Sequence, residues 1–184
     1  MRYILLLTTL LAFQSTADIS LASTLEQAAA GNAVAQFKVG KKYSEFANLG
    51  NGVSDNKKAM VWLRKAANQG HIKAQYHLAF HYYWGYGVPE NYAIALRWFL
   101  KAAVLGDASS QYQVGRMYAL AEGTEADYVK GYVWLSMAKT QEIEGLEIAS
   151  KMLTNVKEVM SSQDVRKAQA LAAKCYESNY KDCD

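Results

Sequence analysis

One stretch of this sequence occurs three times, as Gly31-Asn-Ala-Val-Ala-Gln-Phe37, Gly70-His-Ile-Lys-Ala-Gln-Tyr76 and Gly106-Asp-Ala-Ser-Ser-Gln-Tyr112. The copies begin 39 and 36 residues apart, and a tryptophan follows each of them, at Trp62, Trp98 and Trp134. Self-similarity at this period is typical of solenoids, in which one unit cannot bury its apolar face alone and stacks on its neighbours. The repeat therefore predicts a stack of similar units.

Each copy predicts two helices joined by a turn. In the middle copy, apolar and small residues recur with helical spacing over 74–84 and again over 92–105. The GYGVP stretch at 85–89 separates them, because glycine accepts the left-handed conformation that ends a helix and proline cannot continue one. A short polar residue, suited to cap the second helix, stands seven residues before each tryptophan, at Asp55, Asn91 and Asp127. A small residue, suited to close helix packing, recurs at Gly40, Ala79 and Gly115.

These residues resemble the Sel-1-like repeat family, which is related to the tetratricopeptide repeats. The family pattern is matched in the middle copy by Ala74, Leu78, Ala79, Tyr82, Gly85, Gly87, Val88, Asn91, Ala95, Trp98, Lys101, Ala102, Ala103 and Gly106. The resemblance covers about residues 31–145 and is looser in the third copy. It implies an all-α fold, a right-handed α/α superhelical solenoid of helix-turn-helix repeats, and a role in protein binding.

The flanking segments predict caps for this solenoid. We expect three repeats at 31–69, 70–105 and 106–145, a short N-terminal capping helix at 23–30, and two capping helices with a tail at 146–184. Open repeat arrays need such caps for solubility. Ser23 and Ser161 are each followed three residues later by an acidic residue, which predicts a capping box at the start of the first and the last helix.

The N-terminus reads as a signal peptide. Residues 3–13 form an apolar run that is too short to span a bilayer, where about 20 residues are needed. Small residues favour cleavage after Ala17 or Ala22, so that residues 1–22 would be removed. With no second apolar span, we expect a periplasmic or secreted protein with no membrane span after cleavage.

The two cysteines, Cys175 and Cys183, lie eight residues apart near the C-terminus. In an oxidising compartment they can form a disulfide that pins the tail to the last helix. A Cys-x-x-Cys redox motif is absent from the sequence. A structural disulfide is therefore predicted.

Two sets of residues are candidates for binding. The first helix of each repeat is expected to line a concave groove, which would be basic with apolar spots and suited to an acidic or amphipathic peptide. Its predicted members are Lys38, Lys41, Lys42, His77, His81, Gln113, Arg116 and Met117. The second set consists of aromatic residues in the middle hairpin, Tyr83, Trp84, Tyr86 and Tyr92. Aromatic side chains often anchor protein interfaces.

No catalytic set is evident in the sequence. It has no Gly-x-Ser-x-Gly elbow, His-Glu-x-x-His or phosphate loop. His77 and His81 have the i, i+4 spacing of metal ligands but no identifiable third ligand, and we read them as exposed polar residues with no metal or cofactor. A formal net charge of +3 is well short of a nucleic-acid binder.

The predicted function is an exported, non-enzymatic adaptor that binds a protein or peptide in its groove. Three alternatives stay open: a periplasmic immunity protein against a delivered toxin, a peptidoglycan-binding protein, and a β-lactam-acting enzyme. The enzyme alternative is the poorest, because the secreted family members with that association carry a cysteine pair in every repeat, and this chain has none inside its repeats.

Overall fold

The computed structural model describes residues 22–46, 52–140 and 147–183. These ranges form nine helices and no strand: α1 (22–29), α2 (Ala33–Phe46), α3 (Gly52–Asn68), α4 (Ile72–Trp84), α5 (Tyr92–Ala103), α6 (Ala108–Ala119), α7 (Tyr128–Thr140), α8 (Glu147–Val159) and α9 (Ser162–Glu177). Three successive pairs pack together, α2 with α3, α4 with α5 and α6 with α7. The predicted all-α helical repeat fold is confirmed. The predicted signal segment lies outside the described residues except for Ala22, which is already helical.

The chain divides into two compact units, one ending at His71 and the other beginning at Ile72. In the first unit, α2 and α3 approach closely at Gly40. A Cβ placed on Gly40 would lie 2.8 Å from Leu63 Cγ, so the small residue predicted here is required. A small core of Ala28, Ala35 and Val39 joins α1 to α2.

The second unit contains the larger core and the C-terminal cap. Its α6 and α7 approach even more closely, because a Cβ on Gly115 would lie 2.8 Å from the backbone nitrogen of Leu135, whereas the corresponding distance from Gly40 to Leu63 is 3.1 Å. A glycine on the partner helix, Gly131, makes the approach possible, and a Cβ there would lie 3.1 Å from the Gly115 carbonyl oxygen. Helices α8 and α9 both pack against α7.

The repeated seven-residue stretch forms the turn between two helices and hydrogen-bonds one helix to the other. At the third copy, Gly106 takes a left-handed φ of 86°, and Asp107 caps α6 by accepting a hydrogen bond from the Ser110 backbone N–H. The buried Gln111 amide then donates to the Ala103 carbonyl at the end of the preceding helix, with a nitrogen–oxygen distance of 3.1 Å. The Gln36 amide makes the same bond to the Ala28 carbonyl, also at 3.1 Å. The glutamine therefore ties each of these helix starts to the helix before it.

Two of the three predicted caps of the second helices are confirmed. Asn91 accepts from the Ile94 backbone N–H and Asp127 from the Lys130 backbone N–H, both at 2.9 Å. The prediction for Asp55 is wrong, because α3 already begins at Gly52. Asp55 therefore lies in the first turn, where its carboxylate pairs with Lys58 at 3.0 Å.

The prediction for the last helix start is confirmed, whereas that for the first is wrong. Ser161 caps α9 and its hydroxyl donates to Asp164 Oδ2 at 2.7 Å. Ser23 lies inside α1, since Ala22 is helical, and its hydroxyl accepts from the Gln27 amide instead. In α8 Val156 is buried, whereas Ile148 and Val159 are exposed.

The three repeat tryptophans have different environments. Trp62 and Trp98 are half-buried. The Lys65 ammonium lies 4.5 Å from the centroid of the Trp62 ring, and the Lys101 ammonium lies 4.1 Å from that of Trp98. Trp134 is only 1% exposed, in a core to which α9 contributes Ala172 and Cys175. The third tryptophan is therefore core, as expected where a capping helix covers the last repeat.

The C-terminal tail is fixed by the predicted disulfide. Cys175 and Cys183 are bonded, and both are buried in the main core of the second unit. Between them, the ring of Tyr180 lies beside the turn at Gly106, where a Cβ would lie 3.3 Å from Tyr180 Cε2. The tail thus contacts the junction between the second and third repeats.

Breaking the disulfide is expected to lower the free energy of unfolding by about 2–3 kcal/mol, because a short cross-linked loop restricts the unfolded chain by about this amount. Urea unfolding followed by circular dichroism, with and without reductant, measures the difference. The Cys175→Ala/Cys183→Ala variant serves as control and should not respond to reductant. An equal response of variant and parent to reductant would contradict the assignment.

A second expectation concerns Gly123, whose φ is 74° and where a Cβ would lie 2.4 Å from the Tyr92 carbonyl carbon. Gly123→Ala should destabilise the fold by about 2–4 kcal/mol, since it adds a backbone clash to the left-handed strain. Gly70→Ala is the matched control, because Gly70 has a φ of 83° and no atom within 4 Å of its Cβ position. It should cost only about 1 kcal/mol. Equal losses in thermal unfolding would show that the contact with Tyr92 is unimportant.

Candidate functional site

The predicted groove residues fall into both units. Lys38, Lys41 and Lys42 are exposed on α2 of the first unit, and the Lys41 ammonium lies 3.6 Å from the Glu45 carboxylate. The other five belong to the second unit, on α4 and α6, and each set is described within its own unit.

Two groove predictions in the second unit are wrong about exposure. His81 is 2% exposed and Met117 is fully buried, so neither side chain lies on a groove surface. His81 Nδ1 lies 2.9 Å from the Tyr86 carbonyl oxygen, and burial lowers the pKa of this imidazole. The expectation that both histidines are exposed polar residues therefore fails for His81, while His77 is half-buried.

Arg116 does not contribute a free positive charge. Its guanidinium lies 3.0 Å from the Glu122 carboxylate. The Arg116 Nε also donates a hydrogen bond to the Gln113 side-chain oxygen, at 3.1 Å. The guanidinium carbon also lies 4.9 Å from the Tyr83 ring centroid. Arg116 and Gln113 are therefore parts of an internal network, which reduces the basic character predicted for this face.

The predicted aromatic hairpin divides into a buried and an exposed half. Tyr83 is 8% exposed, stacks near Tyr92 at 5.0 Å between centroids, and donates its hydroxyl to Glu122 at 3.0 Å. Burial is the main cause that raises the pKa of Tyr83, with Glu122 adding to it and Arg116 opposing it. Tyr83 therefore joins the second repeat to the third.

The exposed half consists of Trp84 and Tyr86, which are 53% and 42% exposed. Both rings lie 6.1 Å from the ring of Phe80, centroid to centroid. Phe80 in turn packs on Tyr76, which contacts Phe99 in the core. We call Phe80, Trp84 and Tyr86 the aromatic surface. Phe80 was not predicted as its centre, although its i, i+4 relation to Trp84 could have indicated this.

The local sequence explains how this surface is held. Trp84 is the last residue of α4, and Gly85 and Gly87 take left-handed φ values of 69° and 75° directly after it. The Tyr86 backbone N–H then donates to the His81 carbonyl at 2.9 Å, which returns the Tyr86 ring towards Phe80. Downstream, the Asn91 N–H donates to the Tyr82 carbonyl and starts α5. A turn closed by two backbone hydrogen bonds therefore fixes two large exposed rings.

The described residues show neither a metal cluster nor a membrane helix. Across 22–46, 52–140 and 147–183, no three His, Cys, Asp or Glu side chains lie close enough together to hold a metal ion. Over the same ranges no helix is both long and apolar enough to cross a membrane.

Comparisons with known proteins identify the family to which the three repeats belong. The family model of the Sel1 repeat matches residues 33–71, 72–107 and 108–142. The crystal structure of a protective antigen of uropathogenic Escherichia coli with an SLR fold matches with a TM-score of 0.76 and 27% identity. That match covers 87% of this chain and 33% of the E. coli chain, so this chain spans about a third of its length.

A second solved structure, a Sel1 repeat protein from Oxalobacter formigenes, matches with a TM-score of 0.62 and 32% identity, covering 74% of this chain and 98% of that one. None of the curated proteins matches this chain. Since three matched repeats cover more than half of its residues, the chain belongs to the Sel1 repeat family, whose members are generally non-catalytic scaffolds for protein–protein interaction.

Proposed function

We propose that this chain is an exported interaction module without catalytic activity, and that a partner protein docks on its aromatic surface. The observation that carries the proposal is the pair Trp84 and Tyr86, two large rings that stay 53% and 42% exposed at the end of a packed helix. Rings of this size dominate the energetics of protein interfaces when a partner covers them.

Rigidity supports this choice of surface. Phe80 connects both rings to the core through Tyr76 and Phe99, and the turn after α4 is closed by backbone hydrogen bonds. A surface that is fixed before binding loses little conformational entropy when the partner arrives. The aromatic surface is therefore better suited to binding than an exposed ring on a loose loop.

The predicted basic groove contributes less to the proposal than expected. In the second unit Arg116 is paired with Glu122, and His81 is buried. Lys38, Lys41 and Lys42 are exposed on α2 and stay candidates for an acidic or amphipathic partner segment. Their contribution is proposed separately from that of the aromatic surface.

Export is proposed from two features. The apolar run at residues 3–13 has the length and flanks of a secretory signal, and lies outside the described residues. The Cys175–Cys183 disulfide is typical of oxidising compartments such as the bacterial periplasm. A periplasmic or secreted location accounts for both features.

The exposed rings also favour a second candidate, binding to the sugars of peptidoglycan, since sugar rings stack on flat aromatic faces. It differs from the first in its ligand, purified cell wall instead of a protein. Cosedimentation of the full chain with purified cell wall, compared between the parent and Trp84→Ala, tests it. Absence of the parent chain from the pellet would remove this candidate, and a pellet that does not depend on Trp84 would exclude the aromatic surface as the sugar-binding site.

The protein-binding proposal predicts the behaviour of the Trp84→Ala/Tyr86→Ala variant. Loss of two interface rings should weaken partner capture by about thirty- to a thousandfold, because each buried anchor contributes about 1–2 kcal/mol. The measurement is quantitative capture from envelope extract with the tagged full chain, followed by titration of the identified partner.

The matched control is Tyr128→Ala/Tyr176→Ala, which removes two other rings that are 43% and 60% exposed. It should capture the partner as the parent does. If both double variants hold the partner equally well, the aromatic surface is not the docking site. If the parent holds no protein at all, the protein-binding proposal fails.

A further inference from the structure

A cleft of about 430 Å³ opens between the first turn of α7 and the middle of α9. Its apolar lining comes from Val129, Ala170 and Leu171, and three lysines surround it, Lys130, Lys167 and Lys174. The cleft lies wholly in the second unit and involves none of the residues of the aromatic surface. Helix α9 belongs to the cap that follows the repeats, so the cleft is not part of the repeat face predicted to bind.

The charge of this cleft is positive. Its one acidic lining residue is Asp127, whose Oδ1 already accepts the Lys130 backbone N–H as the cap of α7. The Lys174 ammonium lies 3.8 Å from the Asp182 carboxylate, but both side chains are more than half exposed, so this pair is weak. Three lysines and one aspartate thus line the cleft, and the Lys130 ammonium also lies 5.4 Å from the centroid of the Tyr118 ring. The lining carries an excess of positive charge, which favours an anionic occupant.

The spacing of the lysines says what kind of anion fits. Lys167 and Lys174 are seven residues apart on α9, which separates them by about 10 Å along the helix axis. Ala170 and Leu171 lie between them and offer an apolar contact. A peptide in the polyproline II conformation has three residues per turn and a rise of about 3.1 Å per residue, so carboxylates three residues apart lie on one side of it, about 9 Å apart. A small anion with one charge would reach only one of these lysines.

We propose that this cleft binds an acidic segment of a partner protein in the polyproline II conformation, with two carboxylates three residues apart at Lys167 and Lys174 and an intervening apolar side chain beside Leu171. The inference rests on the proposed protein-binding function and specifies a second contact surface. Charge complementarity and the apolar lining together select this occupant.

The test uses the full chain and two synthetic peptides of equal composition. In the first, Ac-Ala-Glu-Ala-Leu-Glu-Ala-NH2, the glutamates are three residues apart; in the second, Ac-Ala-Glu-Glu-Leu-Ala-Ala-NH2, they are adjacent. Titration at low ionic strength, followed by nuclear magnetic resonance, should show the spaced peptide binding about three- to fivefold more tightly, since only it engages both lysines. The shifted signals should come from α7 and α9.

One substitution tests the cleft without removing packing. Ala170 is exposed, and Ala170→Glu places a carboxylate three residues after Lys167 and four before Lys174, where helical spacing lets it pair with both. It should weaken binding of the spaced peptide at least fivefold and leave the fold intact. Ala170→Gln has nearly the same size without the charge and should stay within twofold of the parent. Ala29→Glu, at an exposed site on α1, controls for net charge.

Each outcome decides the inference. Equal binding of the two peptides would mean a nonspecific patch of cations and would overturn it. Equal loss in Ala170→Glu and Ala170→Gln would mean that charge is not recognised, and would overturn it too. Concentration-dependent self-association that Ala170→Glu abolishes would assign the cleft to a second copy of the chain. Failure of these peptide tests would leave partner capture by the aromatic surface unaffected, because that test uses other variants and another readout.

Discussion

The hydrogen bond from a buried glutamine to the end of the preceding helix is the constraint on which the repeat geometry depends. Gln111 and Gln36 each donate to a carbonyl eight residues earlier, across a turn whose glycine has a left-handed φ. The same carbonyl also accepts the backbone N–H of the turn glycine, at 3.1 Å for Ala28 and 2.9 Å for Ala103, so the glutamine adds a second hydrogen bond at a helix end. The bond therefore fixes the angle at which one pair of helices follows another. Replacing the glutamine with an apolar residue would remove one of the two hydrogen bonds that this carbonyl accepts and would loosen the turn.

The small residues have a related role inside each pair. Gly40 faces Leu63, and Gly115 faces Leu135 at distances that exclude even a methyl group. Close approach of two helices brings more side chains into contact, which stabilises the pair through dispersion and burial. The turn glutamine sets the direction between pairs, and the small residues set the separation within a pair. Together they explain why the sequence repeats these positions and varies others.

Much of the fold could be predicted from the sequence because these constraints are local and recur at a fixed period. The site was harder to predict, as His81 shows. Its i, i+4 relation to His77 indicates that both lie on one side of α4, but only the path of the following turn decides that His81 is covered by Tyr86. Arg116 is similar, since Glu122 reaches it from a turn whose conformation the looser third repeat did not indicate. The sequence indicated that Trp84 and Tyr86 belong to an unusually aromatic hairpin. It did not indicate that both rings pack on Phe80, which only the structure shows.

The cap at the end of the repeats has consequences beyond closing the core. Trp98 keeps an exposed edge and a lysine over its ring, whereas Trp134 at the equivalent position is buried in a core that α9 completes. Because α9 is held by the Cys175–Cys183 disulfide and by Tyr180 against Gly106, its outer face has a fixed relation to α7. The cleft between α7 and this cross-linked cap therefore keeps the backbone that carries Lys167 and Lys174 in a fixed relation to the α7 side of the lining. The cap thereby provides a second fixed surface on the unit that also carries α4, and a partner of the kind we propose would gain affinity from both surfaces without ordering the module first.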